Sequence, residues 1–163
     1  MNSRQGKNRA FTLIEILIVM GIIAVLATIV LIAINPARQF AQARNTQRQS
    51  NVNEILNAIG QRIADNRGAF RLANDTLCKN DIATSTQKMA STTPATPNSI
   101  DILPCLVPTY LPSLPIDPES GKAFFTSEQN YDSGYTVGRN ASTSRITISA
   151  PYAELGETIS ITR

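Results

Sequence analysis

An unbroken apolar segment near the N-terminus constrains this chain more than any other feature. Residues 16 to 34 read ILIVMGIIAVLATIVLIAI, with no charged residue, no proline and nothing more polar than Thr28. Counted from Phe11, the stretch would form a helix about 36 Å long, enough to cross a hydrocarbon core about 30 Å thick. A core helix of a soluble protein normally keeps one polar face, and this segment has none. The sequence therefore predicts a membrane-spanning helix.

A cleaved secretory signal is the alternative interpretation of the same segment. The apolar part of such a signal usually has about 7 to 15 residues and ends at a small-x-small cleavage site. Here the run is longer, and its best match to that site, Val25-Leu26-Ala27, lies in its middle. We therefore favour a membrane span over a removed signal.

The charges that flank the span are balanced, so they orient it only weakly. Three basic residues precede it and three follow it: Arg4, Lys7 and Arg9, then Arg38, Arg44 and Arg48. A ten-residue tail is a poor candidate for export, whereas a long downstream domain crosses a membrane largely regardless of its charge. We therefore expect the tail in the cytoplasm and the rest of the chain outside.

Composition excludes several classes of function. Fifteen Lys and Arg oppose twelve Asp and Glu, but three of the basic residues lie in the first ten positions, which leaves twelve of each sign elsewhere. A basic surface for nucleic acid is therefore not indicated. The absence of His excludes His-based triads and His metal ligands, and two Cys cannot form a four-ligand zinc site. We predict that the protein is not an enzyme and that it needs no cofactor.

A second helix is predicted after the span. Asn35-Pro36 has the residue types of an N-cap and a first helical position, although Pro36 could equally kink one continuous helix. Beyond it, the apolar residues recur at helical spacing and form one stripe: Val52, Ile55, Leu56, Ile59 and Ile63. Asn66-Arg67-Gly68 supplies a left-handed cap, so we expect this helix to end there.

The C-terminal part of the chain predicts a small sheet. Residues 73 to 122 are crowded with Ser, Thr and Pro, especially at 83 to 99, and are expected to form loops and short turns. Three short runs then alternate apolar and polar residues, at 131 to 137, 145 to 150 and 158 to 162. We expect them to form an antiparallel sheet whose apolar face meets the stripe of the second helix. The predicted class is α+β.

Glu15 is the least expected residue of the apolar segment. A carboxylate near the middle of a span costs about 2.5–3.5 kcal/mol on insertion scales, and somewhat less near its edge. Glu15 could reach the interface instead, but its stem is short, and Phe11, Leu13 and Ile14 already lie on its N-terminal side. An intramembrane acid without a partner in its own helix indicates a partner from another chain.

The stretch Lys7-Asn8-Arg9-Ala10 followed by Phe11-Thr12-Leu13-Ile14-Glu15 resembles the N-terminus of type IV pilins and of the pseudopilins of type II secretion systems. That family has a short basic leader, a Gly or less often Ala before the scissile bond, and Phe-Thr-Leu-(Ile/Val)-Glu at the start of an apolar helix. The resemblance covers about residues 4 to 60, and Ala10 stands where Gly is usual.

The resemblance implies a pilin-like fold and a specific fate for the chain. A prepilin peptidase would cleave between Ala10 and Phe11 and methylate the new amine of Phe11. An assembly platform in the inner membrane would then lift the subunit out of the lipid into a filament of identical copies, with Glu15 directing assembly. The expected parts are a cleaved leader (1–10), a membrane and filament-core helix (11–36), an amphipathic helix (37–66) and an exported α+β head (67–163).

Cys78 and Cys105 flank the Ser/Thr/Pro-rich stretch and lie outside the membrane in the expected topology. A bond between them would close a loop of 28 residues, worth about 3–4 kcal/mol in the loop-entropy account. Two buried thiols are the alternative. Because the count is even and the region is exported and rich in loops, we predict the disulfide.

A calcium site is a weaker hypothesis. The segment Tyr110-Leu111-Pro112-Ser113-Leu114-Pro115-Ile116-Asp117-Pro118 resembles a stretch of major pseudopilins that leads into a calcium-binding loop. Asp117, Glu119 and Asp132 could supply oxygen ligands. We favour the alternative, in which the segment is a rigid proline turn that packs on the sheet.

A structural filament subunit is therefore the leading hypothesis. Pilus, secretion pseudopilus and competence filament all remain open within it. The rival from another class is a permanently membrane-anchored exported enzyme or binding domain, which would need neither Glu15 nor a small residue before Phe11.

Overall fold

The apolar segment folds as one helix, α1 (Leu13–Ala33), in a computed structural model that describes residues 11–33 and 35–163. The exposed fraction of its large apolar side chains runs from 48% at Val19 to 82% at Leu13. Leu13–Leu31 is long and apolar enough to cross a membrane, with a mean hydropathy of 2.9. The hydroxyl of Thr28, the most polar group in its second half, donates to the carbonyl of Ala24 at 2.9 Å, so it needs no partner outside the helix.

The second helix, α2 (Pro36–Asp65), begins with a cap. Asn35 Oδ1 accepts a hydrogen bond from the Arg38 N–H at 3.2 Å, and its carbonyl accepts one from Gln39 at 3.3 Å. Asn35 is thus the N-cap and Pro36 the first helical residue, where its missing N–H costs nothing. Of the two alternatives that the sequence left open, the structure has the one in which Asn35-Pro36 opens a new helix.

The C-terminal end of α2 has the predicted left-handed cap. Arg67 and Gly68 have φ angles of 58° and 94°, and the Gly68 N–H donates to the carbonyl of Ile63 at 2.8 Å. This bond satisfies one of the carbonyls that a helix end leaves free.

Contacts along the chain divide it into two units, Met1–Gln39 and Phe40–Arg163. Within the described residues, the second unit holds most of α2, a short helix α3 (Leu103–Leu106) and six strands. The strands are β1 (Gln87–Ser91), β2 (Ser99–Ile100), β3 (Phe124–Ser127), β4 (Asn130–Arg139), β5 (Ile146–Ala150) and β6 (Ile159–Thr162). Phe40–Arg163 is called the head below.

The sheet has the order β2-β1-β4-β5-β6, and β3 also pairs with β4. All neighbours are antiparallel except β1 and β2, which are parallel. The three predicted runs correspond to β4, β5 and β6, and the α+β, pilin-like class is confirmed. The sheet is nevertheless mixed, because the parallel pair β1 and β2 lies in the region where no strand was expected.

The expectation of loops throughout residues 73 to 122 was wrong in part. This region contains β1, β2 and α3, and Met89, Ala90 and Ile100 are buried there. Pairing with the long strand β4 holds β1 in place although the local composition, rich in Ser, Thr and Pro, disfavours a strand. β3 was also missed, because two exposed aromatic residues in a four-residue strand give no alternating pattern.

Strand β4 has two different partners along the same edge. Its first half pairs with β3, through Phe124 opposite Asp132, and its second half pairs with β5, through Thr136 opposite Ser149. Between them, Gly134 adopts a φ of 79°, and a Cβ at this position would lie 2.7 Å from the Cβ of Asp117. A glycine here therefore lets the proline-rich turn approach β4.

One apolar core joins α2 to the sheet. Four of the five predicted stripe residues are fully buried, and Ile63 is half-buried against the same cluster. Further large members of the core come from the strands, from α3 and from the loops that follow α2, among them Phe70, Ile82, Met89, Ile100, Ile102, Leu106, Tyr131, Tyr135, Val137 and Ile148.

Candidate processing and assembly site

The predicted processing residue Phe11 and assembly residue Glu15 lie at the start of α1. Phe11 and Thr12 precede the helix, which begins at Leu13. The N–H of Glu15 donates to both Thr12 Oγ1 (3.3 Å) and the Thr12 carbonyl (3.1 Å), and the Ile16 N–H donates to the same carbonyl at 3.3 Å. Thr12 is therefore the N-cap of α1. Ala10, the other predicted cleavage residue, and the leader at 1–10 lie outside the described residues.

Glu15 is the third residue of α1 and sits among exposed apolar side chains. Phe11 is 78% exposed and Ile14 is 67% exposed. Within residues 11–33 and 35–163, Glu15 takes part in no ion pair. A carboxylate in the first turn gains from the positive end of the helix dipole, and Thr-x-x-Glu is the pattern of a capping box. The helix end thus offsets part of the cost of this acid in an apolar segment.

The head contains a buried charge cluster that the sequence did not reveal, and we call it the Arg48 cluster. The Arg48 side chain is fully buried, and its guanidinium binds Asp117 through two parallel hydrogen bonds of 2.8 and 2.9 Å. It also reaches Glu119 at 3.1 Å and Glu154 at 2.8 Å. Arg44, one turn earlier on α2, binds the same Glu154 at 2.6 Å. Three carboxylates and two guanidinium groups therefore join α2 to two separate loops.

The protonation states in this cluster follow from its geometry. Hydrogen bonds from Arg44, and then from Arg48, lower the pKa of Glu154 to about 2. The hydrogen bonds to Asp117 raise the pKa of Arg48 further above its usual range, against the opposing effect of burial. Glu154 and the two arginines are therefore charged at neutral pH, and the cluster forms ion pairs between α2 and the two loops.

Two of the three predicted calcium ligands, Asp117 and Glu119, belong to this cluster, and the third, Asp132, lies apart from it. Both carboxylate oxygens of Asp117, and one of Glu119, face Arg48 instead of an open space. Asp132 is on β4 and accepts a hydrogen bond from the Gly134 N–H at 2.9 Å. Within the described residues, no three His, Cys, Asp or Glu side chains are grouped as a metal site requires. The proline turn packs on the sheet through the Asp117 N–H, which donates to the Ser133 carbonyl at 2.9 Å.

Cys78 and Cys105 form the predicted disulfide, which is held against the end of α2. Their Cα atoms lie 4.6 Å apart, within the usual range for a disulfide. Arg62 donates to the carbonyls of Phe70 (2.8 Å) and Cys105 (2.6 Å) and forms an ion pair with Asp75. The Cys78 N–H, and to a smaller extent Arg62, lower the pKa of Asp75. The bridge and this arginine together fix the loop that follows α2.

The buried tyrosines serve structure. Burial raises the pKa of Tyr135 to about 12, and its hydroxyl accepts a hydrogen bond from Asn51 at 2.8 Å. Burial likewise raises the pKa of Tyr131, which donates to Asp101 at 2.9 Å. Within the described residues every buried side-chain nitrogen and oxygen has a hydrogen-bond partner. The polar interior of this part of the head is therefore satisfied by the protein itself.

A signal for the Arg48 cluster was present in the sequence. Arg48 precedes Val52 by one helical turn, so it falls on the buried stripe of α2 instead of its solvent face. An arginine on an apolar stripe calls for a buried acid elsewhere in the chain. Which acid it meets, Asp117 at a distance of 69 positions, is not local information.

Comparison with known proteins finds a match at the N-terminal end of the chain. Residues 5–31 match the family model of the prokaryotic N-terminal methylation motif. The match spans the cap at Thr12, Glu15 and most of α1. No curated protein and no solved structure matches the chain.

Proposed function

We propose that this chain, which carries the prepilin-type methylation motif of type IV pilins and pseudopilins, is the precursor of a filament subunit. The proposal rests on one observation: the features expected of the motif occur in the expected order in the sequence and in the structure. The matched residues 5–31 contain two basic residues of the leader, the small residue before Phe11, the helix cap and most of the exposed apolar helix, in that order. A motif of this kind points to a structural family that is typically not enzymatic.

Processing is the first step of the proposal. A prepilin peptidase cuts the bond between Ala10 and Phe11 and methylates the new amine of Phe11. Ala10 is small, so it suits a cut made next to a membrane, and the basic residues of the leader stay on the cytoplasmic side. The motif and the apolar helix fit a precursor anchored in the inner membrane, with the head outside.

Assembly is the second step and uses Glu15. Cleavage leaves an α-amine on Phe11, which is largely cationic at neutral pH. We propose that the Glu15 carboxylate of one subunit pairs with this amine of its neighbour. Water is scarce between packed apolar helices, so an unpaired carboxylate is costly there and the opposite charge offsets that cost. Because one axial offset brings the two groups together, the pair sets the register of the filament.

Apolar packing supplies most of the attraction in the filament. The large side chains of α1 are about half exposed or more along the whole helix, from Leu13 to Leu31. Copies of α1 that leave the lipid bury this surface against each other. The assembly platform of the inner membrane lifts each subunit to that position, and the finished filament lies outside the cell.

Two features of the head stabilise its fold outside the membrane. The disulfide Cys78–Cys105 suits an oxidising compartment, and the Arg48 cluster ties α2 to the loops that carry Asp117 and Glu154. The same proposal covers a pilus, a secretion pseudopilus and a competence filament. A permanently anchored exported enzyme or binding domain is the rival function.

The experiment is mass spectrometry of the mature N-terminus from cells that express the full chain together with a prepilin peptidase. We expect a chain that begins at methylated Phe11. Ala10→Gly should be processed at least as well, and Ala10→Leu should leave the precursor intact, because a bulky residue blocks the cut. An intact Met1 in the wild-type chain, or mature protein of normal size from Ala10→Leu, would contradict the proposal.

A further inference from the structure

Helix α2 has one large apolar side chain that is exposed. Phe40 is 65% exposed, whereas the large apolar residues further along the helix are buried or half-buried. A single exposed apolar residue is ordinary on a protein surface. Phe40 is of interest because the same helix also borders an apolar groove.

The groove lies near the C-terminal end of α2, between this helix and strand β5. Its volume is about 540 Å³, and Leu56, Ile59, Ile63 and Ile146 contribute apolar atoms to its lining. Gly60 widens it, because a Cβ at this position would meet no neighbouring side chain within 4 Å. A cavity of about 150 Å³ with apolar walls is enough to hold benzene, so this groove has room for a phenylalanine ring.

Phe40 and the groove lie on opposite sides of α2. The twenty residues from Phe40 to Gly60 make about 5.6 turns and about 30 Å along the axis, so Phe40 does not reach the groove of its own chain. Asn51 follows Phe40 by about three turns and is therefore on the Phe40 side. Asn51 donates to the Ile116 carbonyl at 3.2 Å, which places the proline turn on the Phe40 side as well.

The Phe40 side of the head is acidic. It carries Glu54, which is exposed about four turns after Phe40, and Glu119 of the proline turn, whose side chain is 33% exposed. The arginines on this part of α2, Arg44 and Arg48, are already paired with carboxylates of the same chain.

The groove side of the head is basic. Arg163 lines the groove, and the exposed Arg145 lies between two lining residues in the sequence. Among the described residues that line the groove, none is acidic. The two sides of the head are therefore complementary both in shape and in charge, which favours contact between copies of this chain.

We propose that Phe40 of one subunit inserts into the groove beside Gly60 of another subunit and joins the heads of the filament. This inference rests on the proposed function and adds a second contact to the pairing of Glu15. The contact uses two different surfaces of the same chain, so each subunit keeps one free Phe40 and one free groove for further copies. A heterologous contact of this kind extends into an open helical filament when its rotation does not close a ring.

The first test is cysteine cross-linking in filaments sheared from cells. Ala43 and Ala64 are exposed, and they follow Phe40 and Gly60 by about one turn, so the contact brings them together while leaving Phe40 and Gly60 intact. Ala43→Cys combined with Ala64→Cys should give a ladder of covalent oligomers after mild oxidation. Either single variant should stay monomeric, since the two native cysteines are already bonded to each other.

The second test is the filament yield of variants on the two surfaces. Phe40→Ala should lower the yield about ten-fold, which corresponds to about 1.4 kcal/mol per contact. Phe40→Leu keeps an apolar side chain and should retain most of the yield. Gly60→Leu fills the groove and should act like Phe40→Ala, whereas Gly60→Ala adds one methyl group and should assemble normally.

The charge of the groove side is tested in the same way. Arg145→Glu should lower the yield, and Lys88→Glu, the same change of charge at an exposed position of β1, should not. Near-ultraviolet circular dichroism of each variant checks that its head is folded.

Three outcomes would overturn the inference: a covalent dimer from either single cysteine variant, which would show a symmetric contact, no ladder from the double variant in filaments of normal yield, or wild-type yield from Phe40→Ala. Insertion of Phe40 into lipid instead would appear as a monomeric double variant, with less Phe40→Ala in the membrane. Failure of the wild-type chain to form any filament would overturn the proposed function, and cross-linking of the double variant in detergent micelles would then decide whether the heads join.

Discussion

At the scale of single residues, the fold treats two charged side chains in opposite ways. Arg48 is buried completely and meets three carboxylates within the same subunit. Glu15 is exposed in an apolar helix and takes part in no ion pair within the described residues. The first charge is satisfied by tertiary structure, whereas the second is left for a neighbouring chain in the proposed filament.

The first prediction compares the two arginines of the cluster. Arg48→Ala should destabilise the head by about 3–5 kcal/mol, because it leaves Asp117 buried without an opposite charge. The Arg44 side chain is 33% exposed and solvent screens its ion pair, so Arg44→Ala should cost much less than Arg48→Ala. Urea unfolding of the full chain in detergent, followed by near-ultraviolet circular dichroism of the tyrosines, measures both losses.

A double variant provides the control for this prediction. Arg48→Met combined with Asp117→Leu removes both charges and keeps much of the volume, so it should recover most of the loss. Equal losses for Arg48→Ala and Arg44→Ala would show that burial of the Arg48 charge does not govern its contribution.

The second prediction concerns acid. The folded pKa of Glu154, about 2, lies below the ordinary value of about 4.3 for an unfolded chain, so folding favours the ionised form. Its contribution is present above about pH 4.3 and is lost as the pH falls towards 2. The difference in unfolding midpoint between wild type and Glu154→Gln should therefore shrink between pH 6 and pH 2.5, about the limits of this window.

Asp75 serves as the reference for the acid prediction. The pKa of Asp75 is also lowered, so Asp75→Asn should remove the part of the pH dependence of stability that comes from Asp75. The part that comes from Glu154 should remain. A midpoint difference between wild type and Glu154→Gln that stays constant across the pH range would refute the assignment to Glu154.

At the scale of elements, the disulfide and Arg62 hold the chain that follows α2. The bridged cysteines are 27 positions apart, and the loop between them contains β1, β2 and the start of α3. Arg62, in the last turn of α2, donates to the Cys105 carbonyl at 2.6 Å. The disulfide therefore closes the loop on itself, and the Arg62 hydrogen bond holds it to α2.

The third prediction is that loss of the disulfide destabilises the head without affecting membrane insertion. Cys78→Ser, and equally the double variant with Cys105→Ser, should cost about 3–4 kcal/mol, since the unfolded chain is no longer constrained by the bridge. The amount of exported subunit should fall, and the membrane-inserted amount should stay the same. Thermal unfolding of the full chain measures the effect directly.

The wild-type chain treated with a reducing agent is the matched control. If its melting temperature does not change while both thiols become open to alkylation, the bridge contributes nothing to stability and the prediction fails.

At the scale of the whole molecule, the two units contain different features. Met1–Gln39 carries the motif and the apolar helix, and Phe40–Arg163 carries the core, the disulfide and the Arg48 cluster. Processing and assembly are therefore proposed to depend on residues that contribute nothing to the core of the head. Variants in one unit should leave the function of the other intact.

The fourth prediction uses this division. Glu15→Ala should give a precursor that is inserted, cleaved and folded in its head, yet assembles poorly in the absence of a wild-type copy. Glu15→Gln keeps the shape of the side chain and a hydrogen-bond acceptor for the capping box, but it lacks the charge. It should therefore assemble as poorly as Glu15→Ala if the amine pairing is what matters.

The measurement is the amount of filament sheared from cells, relative to mature subunit in the membrane. Filament at the wild-type level from Glu15→Ala alone would show that the carboxylate is dispensable, and full recovery with Glu15→Gln would assign its role to the helix cap.

The sequence by itself determined those parts of the protein that depend on nearby residues. An unbroken apolar run identified the span, and periodicity over a few turns identified the stripe of α2 and the strands β4 to β6. Cap residues predicted the C-terminal end of α2 at Gly68 and offered Asn35 as its start, with a kink at Pro36 as the alternative, because a cap depends on backbone groups within one turn. The cysteine pair was found because only two cysteines exist. The processing and assembly residues were also predicted from the sequence, because the motif that contains them is contiguous.

Tertiary structure decided the remainder. The strands β1 and β2 exist because β4 pairs with β1, and their own Ser/Thr/Pro-rich composition predicts loops. Asp117 was a weak candidate for a calcium ligand in the sequence and is a partner of Arg48 in the fold, 69 positions away along the chain. A buried charge finds its partner through the packing of α2, the proline turn and the last hairpin together. No local sequence pattern encodes that arrangement, because its stabilising contacts join residues that are far apart in the chain and meet only after folding.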